Sequence, residues 1–282
     1  MAELHQLKKR AESVKLTAKV ASAMKGISAA KLSRLNSAQS SMSAFLDKLA
    51  YLNEVCAGDT EKLYPRINPD APELYIVIGA NRGMCGSFHN MLISFADSCI
   101  PHNNSAMIVT CGKKTASDLD KTIFHIYKQF IVSDTPDYEA VEPIAEFALK
   151  LYTEGTVSAV KTVYMEYINT MVQQPVCKTV LPFKGTENAK STADCLIYPD
   201  REKAAEAVAE MSIKYTIYGA VLSTAAGAQA ATLTAMRSAY DNADEIVNKL
   251  NEEISKKRQT SITASVIETS QDTEEEENVF DS

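Results

Sequence analysis

All nine prolines of this 282-residue chain lie between Pro65 and Pro199, and this placement constrains the fold more than any other feature. A proline inside a helix costs about 3 kcal/mol, because it lacks an amide hydrogen and its ring clashes with the preceding turn. The two proline-free flanks can therefore form long uninterrupted helices, whereas the middle must be built from shorter elements. We predict an N-terminal helix at 1–57, a linker at 58–72, a middle domain at 73–199, a C-terminal helix at 200–268 and a disordered acidic tail at 269–282.

The first flank carries an apolar repeat of seven residues, which is typical of a coiled-coil seam. Ser28, Lys25 and Gln39 interrupt the apolar character of this seam, and Gly26 lies beside it, so we expect the pairing to loosen or bend about halfway along. The predicted seam consists of Leu7, Val14, Ala21, Ser28, Leu35, Met42 and Leu49, together with Ala11, Ala18, Leu32 and Leu46 four residues further on.

The last flank begins with Asp200, a candidate N-cap, and contains no strong helix-stopping signal after it. Ala, Ser and Thr are abundant around Gly219 and Gly227, and such small side chains let a second helix approach closely. Because the middle domain joins the end of one flanking helix to the start of the other, the two helices are expected to pair antiparallel.

The middle region has the sequence pattern of an α/β domain. Short apolar runs rich in β-branched residues at 74–79, 106–112 and 122–127 predict strands, and parallel pairing is expected. Residues 139–154 predict an amphipathic helix, and 160–169 with 173–183 predict two adjacent strands joined by a turn. The predicted fold class is therefore α/β, with a long antiparallel coiled coil of the terminal helices and a small Rossmann-like domain.

Composition excludes several classes of protein. No window approaches the roughly 18 consecutive apolar residues that a membrane-spanning helix needs, and the N-terminus lacks the apolar core of a secretory signal. The six cysteines form no C-x-x-C pair, and we interpret them as reduced thiols in a cytosol-like compartment. A formal net charge of −7 at pH 7 argues against a generic nucleic-acid binder.

The glycine-rich loop at 79–86 follows a strand and precedes a predicted helix, where phosphate-binding loops occur. Gly86 is followed by Ser87 and Phe88 rather than by Lys and Ser or Thr, and the dinucleotide-binding spacing is absent as well. A tight strand-to-helix turn is the favoured interpretation, and a nucleotide-binding enzyme is the alternative. The four histidines are isolated, so no catalytic residue, cofactor or metal ligand is predicted.

The first helix carries an excess of positive charge, with eight Lys and Arg residues against Glu3 and Glu12 as far as residue 34. A solvated helical face and a surface for an acidic partner both explain this excess. A coiled-coil adaptor or nucleic-acid-binding arm is the corresponding alternative function, and it predicts steeply salt-dependent binding. The basic residues are Lys8, Lys9, Arg10, Lys15, Lys19, Lys25, Lys31 and Arg34.

Four segments of the sequence resemble the gamma subunit family of F-type ATP synthases, in the family's order. VKLTAKVASAMKGISAAKL at 14–32 resembles the N-terminal signature of the family, and NRGMCG at 81–86 resembles its D-R-G-L-C-G loop. Residues 217–247 are similar to its C-terminal helix, and KRQTSIT at 257–263 is similar to its R-Q-A-x-I-T pattern. The resemblance spans nearly the whole chain.

The chain departs from the family pattern at two places. Where the family has E-x-x-A-R-M, this chain has Ala228 at the acidic position and Thr232 at the basic one, which puts the contacts made there in doubt. Ser265 stands in place of a glutamate in the terminal pattern, and an acidic tail replaces a small apolar end.

The resemblance implies a non-catalytic rotor shaft that couples ion flow to ATP synthesis or hydrolysis. It also implies that the small, weakly charged surface at 219–239 is a low-friction bearing inside the ring of partner subunits. Its implied partners are the alpha and beta subunits, the epsilon subunit and the membrane c-ring, with no nucleic acid and no cofactor. The implied location is peripheral, on the cytoplasmic face of a bacterial plasma membrane or the matrix face of the mitochondrial inner membrane. The expected contacts with beta-subunit loops are Met24, Lys25, Arg237, Asp241 and Asn242.

Overall fold

The computed structural model describes residues 2–55, 64–65, 68–102, 106–122, 124–182 and 200–280, with side chains from residue 3 to residue 267. Much of the predicted linker at 58–72, and the end of the predicted middle domain at 183–199, therefore lie outside the described residues. By its internal contacts the chain divides into two compact units, one made of 1–26 with 236–282 and the other of 27–235. The predicted domain boundaries remain a prediction.

The two flanks form the long helices α1, Ala2–Val55, and α5, Arg201–Phe280. Asp200 caps α5 as expected, because its carboxylate accepts hydrogen bonds from the amides of Glu202 at 2.8 Å and Lys203 at 3.3 Å. The backbone stays helical through 269–280, where the sequence predicted disorder. That segment contains no glycine or proline, and its glutamates have high helix propensity. No helix among the described residues is long and apolar enough to cross a membrane.

The predicted seam is confirmed by burial, because every member of the repeat on α1 is buried or half-buried. In the unit of 27–235, Leu32 and Leu35 pack against Leu222, Ala226 and Ala230 of α5. Further along this pair of helices, the ring of Phe45 lies 4.6 Å from that of Tyr215, and Asn53 donates a hydrogen bond to Ser212 at 2.6 Å. As the residue numbers rise on α1 they fall on α5, so the pairing is antiparallel.

The unit of 1–26 with 236–282 shows the same antiparallel order. The ammonium group of Lys25 lies 5.1 Å from the ring centroid of Tyr240, and Lys257 forms an ion pair with Glu3. The buried apolar residues of this unit are small except for one leucine: Ala11, Ala18, Ala21, Ala243 and Leu250. Alanines bury little surface, and they allow two helix backbones to approach closely.

The described part of the middle region forms one five-stranded sheet in the order β3-β2-β1-β4-β5. The strands are β1, Glu73–Ile78; β2, Ala106–Cys111; β3, Ile126–Phe130; β4, Ala159–Tyr167; and β5, Gln173–Leu181. The first four strands are parallel, and β5 pairs antiparallel with β4 at the edge. The predicted parallel α/β sheet and the adjacent pair at its end are therefore confirmed.

Among the described residues, three helices connect the strands: α2, Phe88–Cys99; α3, Lys113–Leu119; and α4, Tyr138–Thr153. One apolar core joins the sheet to α4 and includes Ile76, Val109 and Tyr152. A second core joins the sheet to α2 and α3 and includes Phe88 and Leu119. Both faces of the sheet are covered, which explains why its central strands are almost continuously apolar.

The third strand lies further along the chain than predicted. The sequence predicted it at 122–127, but β3 begins at Ile126 and ends at Phe130. Thr122 belongs instead to the turn that ends α3, where its amide and its hydroxyl both donate to the carbonyl oxygen of Leu119. This local hydrogen bonding outweighs the β propensity of the threonine.

Helix α5 contributes to the cores of the sheet. Ile213, Ile217 and Val221 pack into the core shared with α4, and Ala228 packs into the core shared with α2. Most of the small residues at 220–230 are therefore buried within the chain. The expectation that the whole stretch at 219–239 forms a bearing surface for a partner is wrong for this part, because close packing against α1 and the sheet uses it.

Candidate partner-contact surface

The carboxyl ends of β1 and β4 mark the place where the strand order reverses, since β2 and β4 lie on opposite sides of β1. Open α/β sheets commonly bind ligands in the crevice outside this point. A pocket outside the carboxyl ends of β1 and β2 is lined by Gly79, Asn81 and Gly112 together with Val221 and Gln229 of α5. At the carboxyl end of β4, the amide of Tyr167 donates a hydrogen bond of 2.8 Å to the hydroxyl of Ser223 in α5. The chain's own helix therefore packs against the position that a ligand takes in related architectures.

The loop at 79–86 is held by hydrogen bonds to the neighbouring strand ends. The side-chain amide of Asn81 donates to the carbonyl oxygen of Val132, and its oxygen accepts from the amide of Lys113 at 3.1 Å. The amide of Gly79 donates to Cys111 at 2.8 Å. Met84 and Gly86 adopt positive φ angles of 66° and 58°. These contacts agree with the interpretation of the loop as a tight structural turn.

Asp134 connects this loop to α1, a contact that no sequence pattern predicted. Its carboxylate forms an ion pair of 2.7 Å with Lys31 and lies 3.9 Å from the guanidinium of Arg82. Asn81 lies 3.5 Å from the same carboxylate. Burial alone would raise the pKa of Asp134, but the hydrogen bond and positive charge of Lys31, with help from Asn81 and Arg82, hold that pKa below its ordinary value.

Replacing Asp134 with Asn is expected to lower the free energy of unfolding by about 1 kcal/mol at pH 7. Because the pKa of Asp134 is lower in the folded chain, its contribution is present above the ordinary carboxyl pKa of about 4 and is lost as the pH falls through the folded value. Urea unfolding of both chains between neutral and acid pH measures this difference. Asp120→Asn, at an exposed aspartate, is the control. If the Asp134→Asn chain stayed less stable than the parent chain at acid pH by the same amount, the ion pair of Asp134 would not be the cause.

The five residues predicted to contact a partner all belong to the unit of 1–26 with 236–282. Arg237, Asp241 and Asn242 are exposed on α5, and Arg237 and Asp241 are one helical turn apart. Lys25 and Met24 are half-buried on α1, and Lys25 covers the ring of Tyr240. The structure therefore brings the two predicted groups into the same unit, and three of the five side chains are exposed.

The basic residues of α1 differ in their surroundings. Lys31 is bound to Asp134 and Lys25 to Tyr240, so these two side chains have partners within the chain. The other six of the eight basic residues up to Arg34 are exposed: Lys8, Lys9, Arg10, Lys15, Lys19 and Arg34. Both interpretations of the positive charge, solvation and an acidic partner, remain open for these six residues.

The described residues contain no group of three His, Cys, Asp or Glu side chains that could hold a metal ion. Burial raises the pKa of the Cys85 thiol, and it raises that of Cys111 to about 12. His89 is buried, and its Nε2 lies 2.9 Å from the carbonyl oxygen of Arg82. Cys85 packs in the core shared with α2, and Cys111 packs in the core shared with α4.

Comparison with known proteins agrees with the architecture. A family model described as ATP synthase matches residues 3–270. The chain is 30% identical to the ATP synthase gamma chain of Desulforamulus reducens, over 95% of this chain and 97% of that one. It is 28% identical to the gamma chain of Clostridium novyi, over 95% and 96% of the two chains.

Solved structures show the same fold. The rotor of the Euglena gracilis mitochondrial ATP synthase contains a chain that aligns with a TM-score of 0.67 at 15% identity, over 93% of this chain and 99% of that one. A chain of the central stalk and c-ring of the Tetrahymena thermophila enzyme aligns with a TM-score of 0.61 at 19% identity, over 78% and 99%. On the family match and the sequence relatives together, the chain belongs to the ATP synthase gamma chain family.

Proposed function

We propose that this chain is the central rotor shaft of an F-type ATP synthase, a non-catalytic subunit that couples ion-driven rotation of the membrane ring to ATP synthesis or hydrolysis. The observation that carries the proposal is the continuity of α5. One uninterrupted helix supplies Ile213 and Val221 to the sheet cores and then, further along, the exposed Arg237 and Asp241. A helix of this kind can transmit torque from an anchored part of the chain to exposed contact residues.

The proposed mechanism needs no catalytic group in this chain. A pair of antiparallel helices has no threefold symmetry, so it presents a different surface to each of three chemically identical catalytic subunits. Each surface stabilises a different open or closed state through its differential contact free energy. Rotation of the shaft then changes in turn which catalytic subunit is open, and in the same way it regulates ATPase activity and ion flow.

The contacts with the beta-subunit loops are assigned to Met24, Lys25, Arg237, Asp241 and Asn242. Arg237 and Asp241 suit this role because they are exposed and form no ion pair among the described residues. Lys25 is half-buried and contacts the ring of Tyr240, and its positive charge can also attract an acidic partner. Met24 is half-buried and adds a flexible apolar side chain.

The α/β domain is assigned to the epsilon subunit and the membrane c-ring, and the alpha and beta subunits are assigned to the helical pair. No nucleic acid or cofactor is involved. The chain is then peripheral to the membrane through the complex alone, on the cytoplasmic face in a bacterium or the matrix face in a mitochondrion.

Affinity purification of the tagged chain from a native membrane extract tests the proposal. We expect alpha and beta subunits to co-purify with ATPase activity, and deletion of residues 229–282 to abolish that activity. Recovery of the chain alone, or with unrelated partners, would overturn the proposed function. A nucleotide-binding assay and a low-salt DNA- and RNA-binding assay on the isolated chain test the two alternative functions, and we expect both to be negative.

Replacing both Arg237 and Asp241 with alanine is expected to lower ATP-driven ion pumping by about tenfold, because two polar partner contacts of about 0.7 kcal/mol each are lost. The measurement is ion uptake by vesicles that contain the assembled complex. Lys150→Ala, which removes an exposed charge on α4, is the matched control and should pump normally. Normal pumping by the double variant, in a complex of normal composition, would remove these residues from the contact surface.

A further inference from the structure

Two cysteines that are 78 residues apart in the sequence lie beside each other on one side of the sheet. Cys177 is exposed on the edge strand β5, where it is paired with Val163 of β4. Residues directly opposite each other in an antiparallel pair project to the same face, and Val163 is buried in the core shared with α2. Cys99, the last residue of α2, packs against that same core.

Helix α2 runs alongside β5, because Phe88 at the start of α2 and Gln173 at the start of β5 would lie 3.2 and 3.4 Å from a methyl group at Gly227. Over the 12 residues of α2 and the first five of β5, Cys99 comes level with Cys177, and each thiol shifts the pKa of the other.

Three charged or polar side chains, Lys161, Glu73 and Tyr75, lie near the two thiols. The ammonium group of Lys161 forms an ion pair of 2.7 Å with Glu73 and lies 3.3 Å from the hydroxyl of Tyr75. Tyr75 donates a hydrogen bond of 2.7 Å to the same carboxylate. Nothing in the proposed rotor function uses this cluster.

The electrostatics of the pair separate the two cysteines into different roles. The hydrogen bond from Cys99 lowers the pKa of Cys177 to about 7; burial and Glu73 oppose this shift, and the positive charge of Lys161 favours it. The same hydrogen bond, together with burial, raises the pKa of Cys99. Cys177, the exposed member of the pair, is therefore the more acidic thiol.

We propose that Cys99 and Cys177 form a reversible, redox-active dithiol that is oxidised to an intramolecular disulfide by low-molecular-weight disulfides. Cys177 is the attacking thiol, because it is exposed and is the more acidic of the two. Cys99 is the resolving thiol, because it lies next to Cys177 and is half-buried. The proposal is independent of the rotor function.

The exchange proceeds in two balanced steps. The Cys177 thiolate attacks one sulfur of the small disulfide, whose S–S bond breaks, and a mixed disulfide forms as one thiolate leaves. The Cys99 thiol then loses its proton to the departed thiolate and attacks the Cys177 sulfur. The S–S bond between Cys99 and Cys177 forms, and the second small thiol is released. The protein loses two electrons and two protons, which reduce one small disulfide to two thiols.

The test uses the full-length chain in which Cys56 and Cys195, which lie outside the described residues, are replaced by serine. The chain is incubated with oxidised glutathione, alkylated with N-ethylmaleimide and digested without reduction for mass spectrometry. We expect peptides containing Cys99 and Cys177 to be joined, with the mass of two hydrogen atoms lost, and dithiothreitol to separate them. Cys111→Ser, at a buried thiol on β2, is the matched control and should leave the cross-link unchanged.

Two single variants show whether Cys99 and Cys177 react as a pair or whether Cys177 reacts alone. Cys99→Ser should stop the reaction at a mixed disulfide on Cys177, and it should slow alkylation of Cys177 at pH 7 several-fold because the hydrogen bond that lowers its pKa is weakened. Cys177→Ser should leave Cys99 free and slow to alkylate. Circular dichroism checks that each variant is folded. A mixed disulfide on Cys177 that persists in the presence of Cys99, or equal alkylation rates with and without Cys99, would overturn the proposal.

Discussion

Replacing Phe88 with alanine is expected to lower the free energy of unfolding by about 4 kcal/mol, which is roughly a thousandfold change in the folding equilibrium. Phe88 is the first residue of α2, is fully buried, and packs in the core that joins α2, the sheet and Ala228 of α5. The variant loses the transfer free energy of the ring and leaves a cavity that rigid neighbours cannot fill. Denaturant unfolding followed by circular dichroism measures the loss.

Met91→Ala provides the control, because Met91 lies on the same helix with 36% of its surface exposed. A double-mutant cycle tests the contact between Phe88 and Gly227 directly. A methyl group at Gly227 of α5 would lie 3.2 Å from Cε2 of Phe88, so Gly227→Ala should destabilise the wild-type chain but stabilise the Phe88→Ala variant, whose ring is absent. Additive effects of the two substitutions would contradict this packing.

Replacing Gly112 with alanine is expected to lower the free energy of unfolding by about 3 kcal/mol. Gly112 follows β2 with a φ of +118°, a conformation that a residue with a side chain rarely adopts. Its new methyl group would lie 2.5 Å from the carbonyl oxygen of Gly79 and 3.0 Å from that of Ala80. Because both obstacles are backbone atoms at the ends of buried strands, neither can rotate away. Thermal and urea unfolding measure the effect.

Gly83→Ala is the matched substitution for this prediction. Gly83 lies in the neighbouring loop, and a methyl group there would meet no heavy atom within 4 Å. We expect a change within about 1 kcal/mol. If Gly83→Ala and Gly112→Ala lowered the free energy of unfolding equally, the loss would come from reduced loop flexibility and not from the close approach of two strand ends.

The long helices and the sheet could be predicted because they depend on periodic or local signals. The seven-residue repeat that contains Leu35 and Leu49 predicts a buried face of α1, and Asp200 predicts the start of α5. The strand prediction failed for β3, where the hydrogen bonds of Thr122 to Leu119 end α3 and delay the strand to Ile126. A propensity scale has no information about this competition.

The candidate site was predictable only in part. The sequence places Arg237 and Asp241 one turn apart on a helix, and this spacing alone puts them on one face. It gives no reason to join Lys31 with Asp134, which are 103 residues apart and form the ion pair between α1 and the loop after β3. In the sequence, Lys31 is one of many basic residues in the first helix, and Asp134 is one of several polar residues in a turn.

What the sequence by itself determined is the set of elements: two proline-free flanks that must be helices, a heptad seam that must be covered, and a middle region of α/β pattern. Local conformational energies and the period of the apolar residues suffice for these features. Only the tertiary structure decided that the small residues at 220–230 face α1 and the sheet, that Asp134 binds Lys31, and that Cys99 lies beside Cys177. Such contacts between distant segments depend on how packed elements meet in space, and no local signal in the chain records that arrangement.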